Sequence, residues 1–281
     1  MKRNPYARPV KDLFRRLALI NGTLQHLDIH LRMATDQVRD DVRSGRGNRW
    51  AAGVALVIRD LTEWPQDGWA RYYSAAGYQR RGRQFLSVLR DLRALSSAWA
   101  VSQGFEEFER ALKNDVAVFL WQHPADFGKA PWRQSKKGGQ APIKGQIRLY
   151  EDLVRDAFRG VQDLLPRVRR AVPGVKEAEQ KNNRALSLVS WLKVAESIRH
   201  AHVHSGGVVA SKALKEFSVT ETEILSEDFS GRQRQDGYVL TLTRKQGHEA
   251  LNRFAEYGQL VAKAMSDFDG VSWEMPSGGR V

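Results

Sequence analysis

One short segment of this sequence is dense in residues that could do chemistry on a phosphate ester. From Glu196 to Gly207 the chain reads Glu-Ser-Ile-Arg-His-Ala-His-Val-His-Ser-Gly-Gly, with Arg199 five positions before His204. A guanidinium binds phosphate through a planar fork of N–H groups and stays charged at any relevant pH. An imidazole titrates near neutral pH, so it can take a proton from one oxygen and give it to another. This pair of residue types therefore suits phosphodiester cleavage.

RNA is the phosphodiester that this pair suits best, because its 2′-hydroxyl is an internal nucleophile and no metal-bound water is required. General acid–base help from such a group is worth about 10²–10⁴ in rate. One arginine and one histidine are few groups to supply an acid, a base and a charge stabiliser. Two copies facing each other across a twofold axis would supply all three, and a symmetric homodimer is the commonest assembly. We therefore expect a homodimer that uses no metal and no cofactor, and RNA products with 2′,3′-cyclic phosphate ends.

Helical spacing decides whether Arg199 and His204 can act together. The apolar residues before them predict that the helix persists into this segment. Five positions on an ideal helix correspond to about 140° of rotation and about 7.5 Å of rise. The two side chains therefore share a face only if the helix end loosens near His204, which Gly206–Gly207 would permit. Glu151 and Glu196 are candidates to orient Arg199 by ion pairing.

Apolar periodicity predicts a mainly helical chain that begins with a long helix. From Val10 to Val38 the apolar residues alternate steps of three and four, which predicts one helix that ends near Ser44–Asn48. This narrow apolar stripe, called the seam, is expected to pack against another long helix, either in the same chain or across a dimer. Further helices are predicted over 50–64, 78–99, 105–119 and 147–165, the last kinked or ended by Pro166.

The helix that carries Arg199 has start and stop signals of its own. Asn182 or Asn183 is predicted to cap its N-terminus, because a side-chain oxygen there can accept from a free backbone N–H. The run Ser205–Gly207 is predicted to end it, because glycine readily adopts the left-handed backbone conformation found after helices.

A small β element and a last helix follow. Residues 238–243 alternate in strand fashion after an Asp-Gly turn, and a segment near Ile224 is their expected partner in a β-hairpin. Thr243 with Gln246 fits a capping box, which predicts the start of a last helix that runs to Phe268.

Composition restricts the class of protein and of partner. The 281 residues are 42% hydrophobic, which excludes an intrinsically disordered chain, and no apolar run approaches the roughly 18 residues that span a membrane. The formal net charge of +13 favours a polyanionic partner through counterion release and electrostatic steering. The chain has no cysteine, so disulfides and thiolate metal sites are excluded and a cytoplasmic location is expected.

The least regular stretch, from His123 to Gly145, is predicted to be an exposed loop at a boundary between two halves of the chain. There is no acidic residue between Asp126 and Glu151. Lysine and arginine side chains there can contact phosphates, and an indole can stack on a base. The candidate RNA-binding residues are Trp132, Lys136, Lys137, Lys144 and Arg148.

The string Arg199-His200-x-x-x-His204, at a helix end and before a glycine turn, resembles the signature of the HEPN ribonucleases (higher eukaryotes and prokaryotes nucleotide-binding domains). That signature is an arginine, a polar residue beside it and a histidine a few positions later. The resemblance implies a helical bundle that dimerises into a composite active site and cleaves RNA without metal. It implies that Arg199 holds the phosphate, His204 is the general acid–base and His200 assists.

The resemblance covers about residues 144–270, which would form a HEPN-like domain with a small β-hairpin before its last helix. Residues 1–128 would then be an additional helical region that contains the long first helix. Many members of the family are toxins or antiviral-defence effectors, which implies an antitoxin or other regulatory protein as a partner. One toxin subgroup carries a tyrosine two residues after the histidine, where this chain has Gly206.

Two other interpretations of the same residues stay open. His200, His202 and His204 on a β-strand would share one face and could ligate zinc, as in a metal hydrolase, whereas on a helix His202 would point about 160° away. Alternatively, Arg199 and His204 are surface residues at a helix end, where histidine interacts favourably with the helix dipole. The protein would then be a basic helical module that binds nucleic acid or assists assembly without catalysis.

Overall fold

The computed structural model describes residues 4–46, 51–52, 56–59, 72–76, 79–80, 82–123 and 147–273. Across these ranges the chain is mainly α-helical, with nine helices and a small three-stranded antiparallel sheet before the last helix. It forms two compact units, one of residues 1–25 with 94–281 and one of residues 26–93. The predicted boundary between domains 1–128 and 144–270 lies within residues 124–146. These residues are outside the described part of the chain, so the boundary stays a prediction.

The helices and strands follow one another in this order. The helices are α1 (Ala7–Arg43), α2 (Gly82–Gln122), α3 (Ile147–Ala157), α4 (Val161–Ala171), α5 (Pro173–Gln180), α6 (Leu188–His204), α7 (Ser211–Lys215), α8 (Val219–Asp228) and α9 (Arg244–Phe268). The strands are β1 (Ala51–Ala52), β2 (Leu56–Arg59), β3 (Tyr72–Ala76), β4 (Gln79–Arg80), β5 (Val208–Ala210), β6 (Gly231–Gln233) and β7 (Gly237–Leu240). Strand β7 lies in the middle of the three-stranded sheet and pairs antiparallel with β5 and β6.

The long first helix is confirmed, but the helix predicted over 50–64 is wrong. The described residues of that segment form β1 and β2, and β2 pairs antiparallel with β3. A short apolar run cannot be assigned to helix or strand from periodicity alone. The β-branched residues Val57 and Ile58 in β2 favour the strand.

The helices predicted over 78–99 and 105–119 are a single helix, α2. Gly104 lies between the two predicted segments, where it allows a close approach of α9. A Cβ at this position would lie 2.7 Å from Cδ2 of Leu251 and 2.9 Å from Cδ2 of Phe254. Gly104 therefore allows α2 and α9 to pack closely, and α2 continues through this residue.

The helix predicted over 147–165 is interrupted. Helix α3 ends at Ala157 and α4 begins at Val161, with the extended residue Gly160 capping α4. Pro166, which was predicted to kink or end this segment, lies inside α4. Phe158, in the break between α3 and α4, is buried like the apolar residues of both helices. The apolar periodicity of the sequence therefore runs through the break and did not reveal it.

The predicted β-hairpin is a three-stranded sheet, and its partner strand was wrongly placed. Ile224 lies inside α8, whereas β7 pairs with β5 and β6. The capping box at the start of α9 is confirmed, since the Thr243 hydroxyl accepts from the N–H of Gln246 and the Gln246 side chain accepts from the N–H of Thr243.

The core of the larger unit contains an aromatic cluster around Phe254 of α9. Its ring centroid lies 4.9 Å from that of Trp191, 5.9 Å from that of Phe108 and 6.1 Å from that of Phe105. All four side chains are fully buried. Because Trp191 is on α6, this cluster holds α6 against α2 and α9 and sets which face of α6 reaches the surface.

Asp115 is an ionisable group inside this core. The residue is only 1% exposed, and its Oδ1 has no hydrogen-bond partner among the described residues. Burial raises the pKa of Asp115 well above its ordinary value. The folded state therefore binds this proton more tightly than the unfolded state does.

Asp115→Asn should stabilise the protein at neutral and alkaline pH. With a raised pKa in the folded state, the contribution of Asp115 to the free energy of unfolding is greatest at acid pH and is lost as pH rises through that pKa. The variant lacks this titration, so its Tm should exceed that of the wild type by several degrees at pH 8 and by little at pH 4. Thermal melts at both pH values, with the exposed Asp36→Asn as control, test this. Equal Tm differences at both pH values would contradict it.

Candidate functional site

Helix α6 presents the residues singled out for chemistry, and its N-terminus is capped by Ser187 instead of an asparagine. The Ser187 hydroxyl accepts from the backbone N–H of Ser190 at 3.4 Å. The prediction of Asn182 or Asn183 as the cap is therefore wrong. Asn182 stabilises the preceding turn, where its Nδ2 donates to the carbonyl oxygens of Glu179 and Leu186.

The predicted end of α6 is confirmed. The helix ends at His204, and Gly206 and Gly207 follow with φ values of 58° and 86°, a conformation that favours glycine. The N–H of Gly207 donates to the carbonyl oxygen of Ala201 at 2.9 Å, which directs the chain into β5. Because the helix persists through His204, the condition under which Arg199 and His204 would share one face is not met.

Arg199 is bound to a carboxylate of α2. Its Nε donates to Oε1 of Glu106 at 3.2 Å, and its guanidinium carbon lies 5.8 Å from the ring centroid of Phe105. The Arg199 side chain keeps 32% of its surface exposed. Glu106 was missed from the sequence, where nothing in the local pattern connects it with a residue 93 positions away. Of the two predicted partners, Glu151 is an exposed residue of α3, and Glu196 acts on Arg199 through charge.

His200 and His204 form a pair on the exposed face of α6. Their ring centroids lie 4.8 Å apart with the planes inclined at 50°, and both residues are exposed. Arg199 lies about 140° around the helix from His204, since the segment stays helical. Within one chain the structure therefore brings the two histidines together and leaves Arg199 on a different face.

His202 is separated from this pair. It is half-buried, its Nδ1 has no hydrogen-bond partner among the residues described, and burial lowers its pKa. The three imidazoles therefore do not converge, because they lie on a helix and not on a strand. The described ranges contain no group of three His, Asp or Glu side chains placed to hold a metal ion.

A groove of about 590 Å³ adjoins His200. One wall is the outer face of α6, and the opposite wall is formed by β5 and α7. Its polar lining residues are Gln162, Lys193, Glu196, Ser197, His200, Ser205, Lys212 and Glu216. His200 therefore lines a surface groove of nucleotide size, and His204 is its neighbour one turn further along α6.

Glu196 lies in this groove, one helical turn before His200. Burial raises the pKa of Glu196, and so do the nearby carboxylates of Glu109 and Asp163. A hydrogen bond with Gln162 and the charge of Arg199 act in the opposite direction. The carboxylate is thus placed among both acidic and basic groups at the surface of the groove.

Most of the predicted RNA-binding residues lie outside the described part of the chain. Trp132, Lys136, Lys137 and Lys144 belong to residues 124–146, and their role stays a prediction. Arg148 is an exposed residue in the first turn of α3. It is therefore available to a polyanion in the solvent.

Comparisons of the chain with protein-family models, curated proteins and solved structures find no match. Among the described helices, none is both long enough and apolar enough to cross a membrane. The function of the site must therefore be inferred from its own residues.

Proposed function

We propose that this chain is a metal-independent endoribonuclease of the HEPN type that acts as a homodimer, as a toxin or an antiviral-defence effector. The observation that carries the proposal is the exposed pair of His200 and His204, with rings 4.8 Å apart beside a groove of nucleotide size. The net charge of +13 supports a polyanionic substrate.

Two imidazoles supply the proton transfers that RNA cleavage needs. His204 takes the proton of the 2′-hydroxyl as the 2′-oxygen attacks phosphorus. A second imidazole gives a proton to the departing 5′-oxygen as the P–O5′ bond breaks. The products are a 2′,3′-cyclic phosphate and a 5′-hydroxyl, with no water or metal consumed. His200 is the nearest imidazole for the second transfer.

The position of Arg199 supports a dimeric site. Since it lies about 140° from His204 around the same helix, its guanidinium faces away from a phosphate held by that histidine. In a twofold dimer, Arg199 of one copy would meet the histidines of the other. The ion pair with Glu106 would hold the guanidinium in a fixed orientation for this contact.

Single-stranded RNA incubated with the purified protein in excess EDTA should be cleaved to fragments with 2′,3′-cyclic phosphate and 5′-hydroxyl ends. Specific activity should rise with protein concentration in the range where the dimer forms, because each site needs two copies. End-group analysis by mass spectrometry and sedimentation measurements check both points. Cleavage that stops on chelation would instead favour a metal hydrolase.

The Arg199–Glu106 ion pair also favours a second candidate function. If that pair has only a structural role, the protein is a basic helical module that binds RNA without cleaving it. Retention of intact RNA with a strong salt dependence of binding would identify this function in the same assay.

A further inference from the structure

The groove beside His200 combines apolar residues with hydrogen-bonding side chains, a lining that suits a nucleobase. Its lining includes Val208, Ala210 and Ala213, which are at least partly exposed and offer apolar surface. Lys193 on its wall is already engaged, because its Nζ lies 2.8 Å from Oε2 of Glu221 and donates to the carbonyl oxygen of Glu216. The carboxylate of Glu196 would repel a phosphate at the same place.

The groove and the histidine pair are continuous along one face of α6. Lys193, Glu196, Ser197 and His200 all line the groove, and their spacing of three and four residues puts them on the same side of the helix. His204 follows His200 by one further turn. A nucleotide whose phosphate lies at the histidines would therefore have its base within reach of the groove.

Glu196 offers two carboxylate oxygens at this position, and Gln162 occupies part of their hydrogen-bonding capacity. Guanine carries two adjacent donors, N1–H and N2–H, on its Watson–Crick edge, whereas each of the other bases offers one donor group there. Single-stranded RNA exposes this edge for reading by side chains. Two parallel N–H···O bonds to one carboxylate would thus distinguish guanine from adenine, cytosine and uracil.

We propose that this groove is the subsite for the base that flanks the scissile phosphate, and that Glu196 selects guanine in it. The inference rests on the proposed ribonuclease function for its biological meaning. Gln162 is a positioning residue here, since it holds the carboxylate by a hydrogen bond. Arg199 and the histidines act on the phosphate, outside this subsite.

Binding of mononucleotides tests the subsite without any need for cleavage. Titration calorimetry with the 3′-monophosphates of guanosine, adenosine, cytidine and uridine should show guanosine binding about tenfold or more tightly than the others. Glu196→Gln should remove that preference, whereas Glu223→Gln on the exposed surface of α8 should keep it. Equal affinities of the wild-type protein for the four nucleotides would overturn the proposal, whatever the behaviour of the variants.

Mapping the cleaved bonds in a mixed-sequence RNA separates this inference from the proposed function. Cleavage concentrated next to guanosine in the wild type, and scattered in Glu196→Gln, is the expected result. Cleavage without base preference would overturn the guanine subsite and leave the ribonuclease standing. Selective guanosine binding with no cleavage would overturn the ribonuclease and support the subsite as a site for guanine nucleotides.

Discussion

His204→Ala should lower the rate of RNA cleavage by about 10²–10⁴, the usual loss when a general acid–base group is removed. His204 is exposed at the last position of α6, so the substitution should leave the fold intact. Initial cleavage rates in EDTA and thermal melts of both proteins measure the two effects. RNA binding by His204→Ala should persist, because the charge that attracts the polyanion is spread over the chain.

His30→Ala is a matched control, since His30 is also an exposed histidine on a helix, α1, but has no place in the proposed site. It should cleave RNA at the wild-type rate. A wild-type rate for His204→Ala as well would contradict the proposed role of the imidazole.

Mixing two inactive variants tests whether the site is shared between copies. A dimer of Arg199→Ala with His204→Ala retains one site that combines an intact arginine from one copy with an intact histidine from the other. Since random exchange makes half of the dimers mixed, and each has one such site of two, about a quarter of the wild-type activity should return. No recovery after verified subunit exchange would place both residues of a site in the same copy.

Phe254→Ala should lower the free energy of unfolding by about 3–5 kcal/mol, the usual range for loss of a buried aromatic side chain. Phe254 is 0% exposed and contacts Trp191, Phe105 and Phe108. Its removal would leave a cavity that α2, α6 and α9 cannot fill without moving. Urea denaturation followed by circular dichroism measures the change.

Leu19→Ala is the control for this substitution, because Leu19 is 67% exposed on α1 and loses little contact area. Its effect should stay within about 0.5 kcal/mol. A loss below about 1 kcal/mol for Phe254→Ala would mean that the aromatic cluster does not form the core of this unit. Because Trp191 lies on α6, RNA cleavage should also fall in Phe254→Ala under conditions where it is folded.

Three features confined to neighbouring residues were correctly predicted from the sequence, whereas the cap of α6 was placed on the wrong residue. The seam from Val10 to Val38 predicted α1, the glycines after His204 predicted the end of α6, and Thr243 with Gln246 predicted the start of α9. In each case the interacting groups are at most a few turns apart. Residue spacing and capping residues are therefore enough to predict where these helices lie, begin or end.

For the candidate site, the sequence predicted where the residues lie along α6 but not which residues they contact. The sequence by itself determined that Arg199, His200 and His204 lie near a helix end, where glycine stops the helix. Only the tertiary structure decided that the rings of His200 and His204 pair at the surface and that Arg199 binds Glu106 of α2.

Tertiary packing also decided that α2 runs through Gly104 as one helix, and that β7 pairs with β5 and β6 instead of the segment near Ile224. The physical reason is the same in each case. A periodic pattern records that a side chain is buried or exposed, whereas the identity of its neighbour depends on elements far away in the chain that meet only when the core forms.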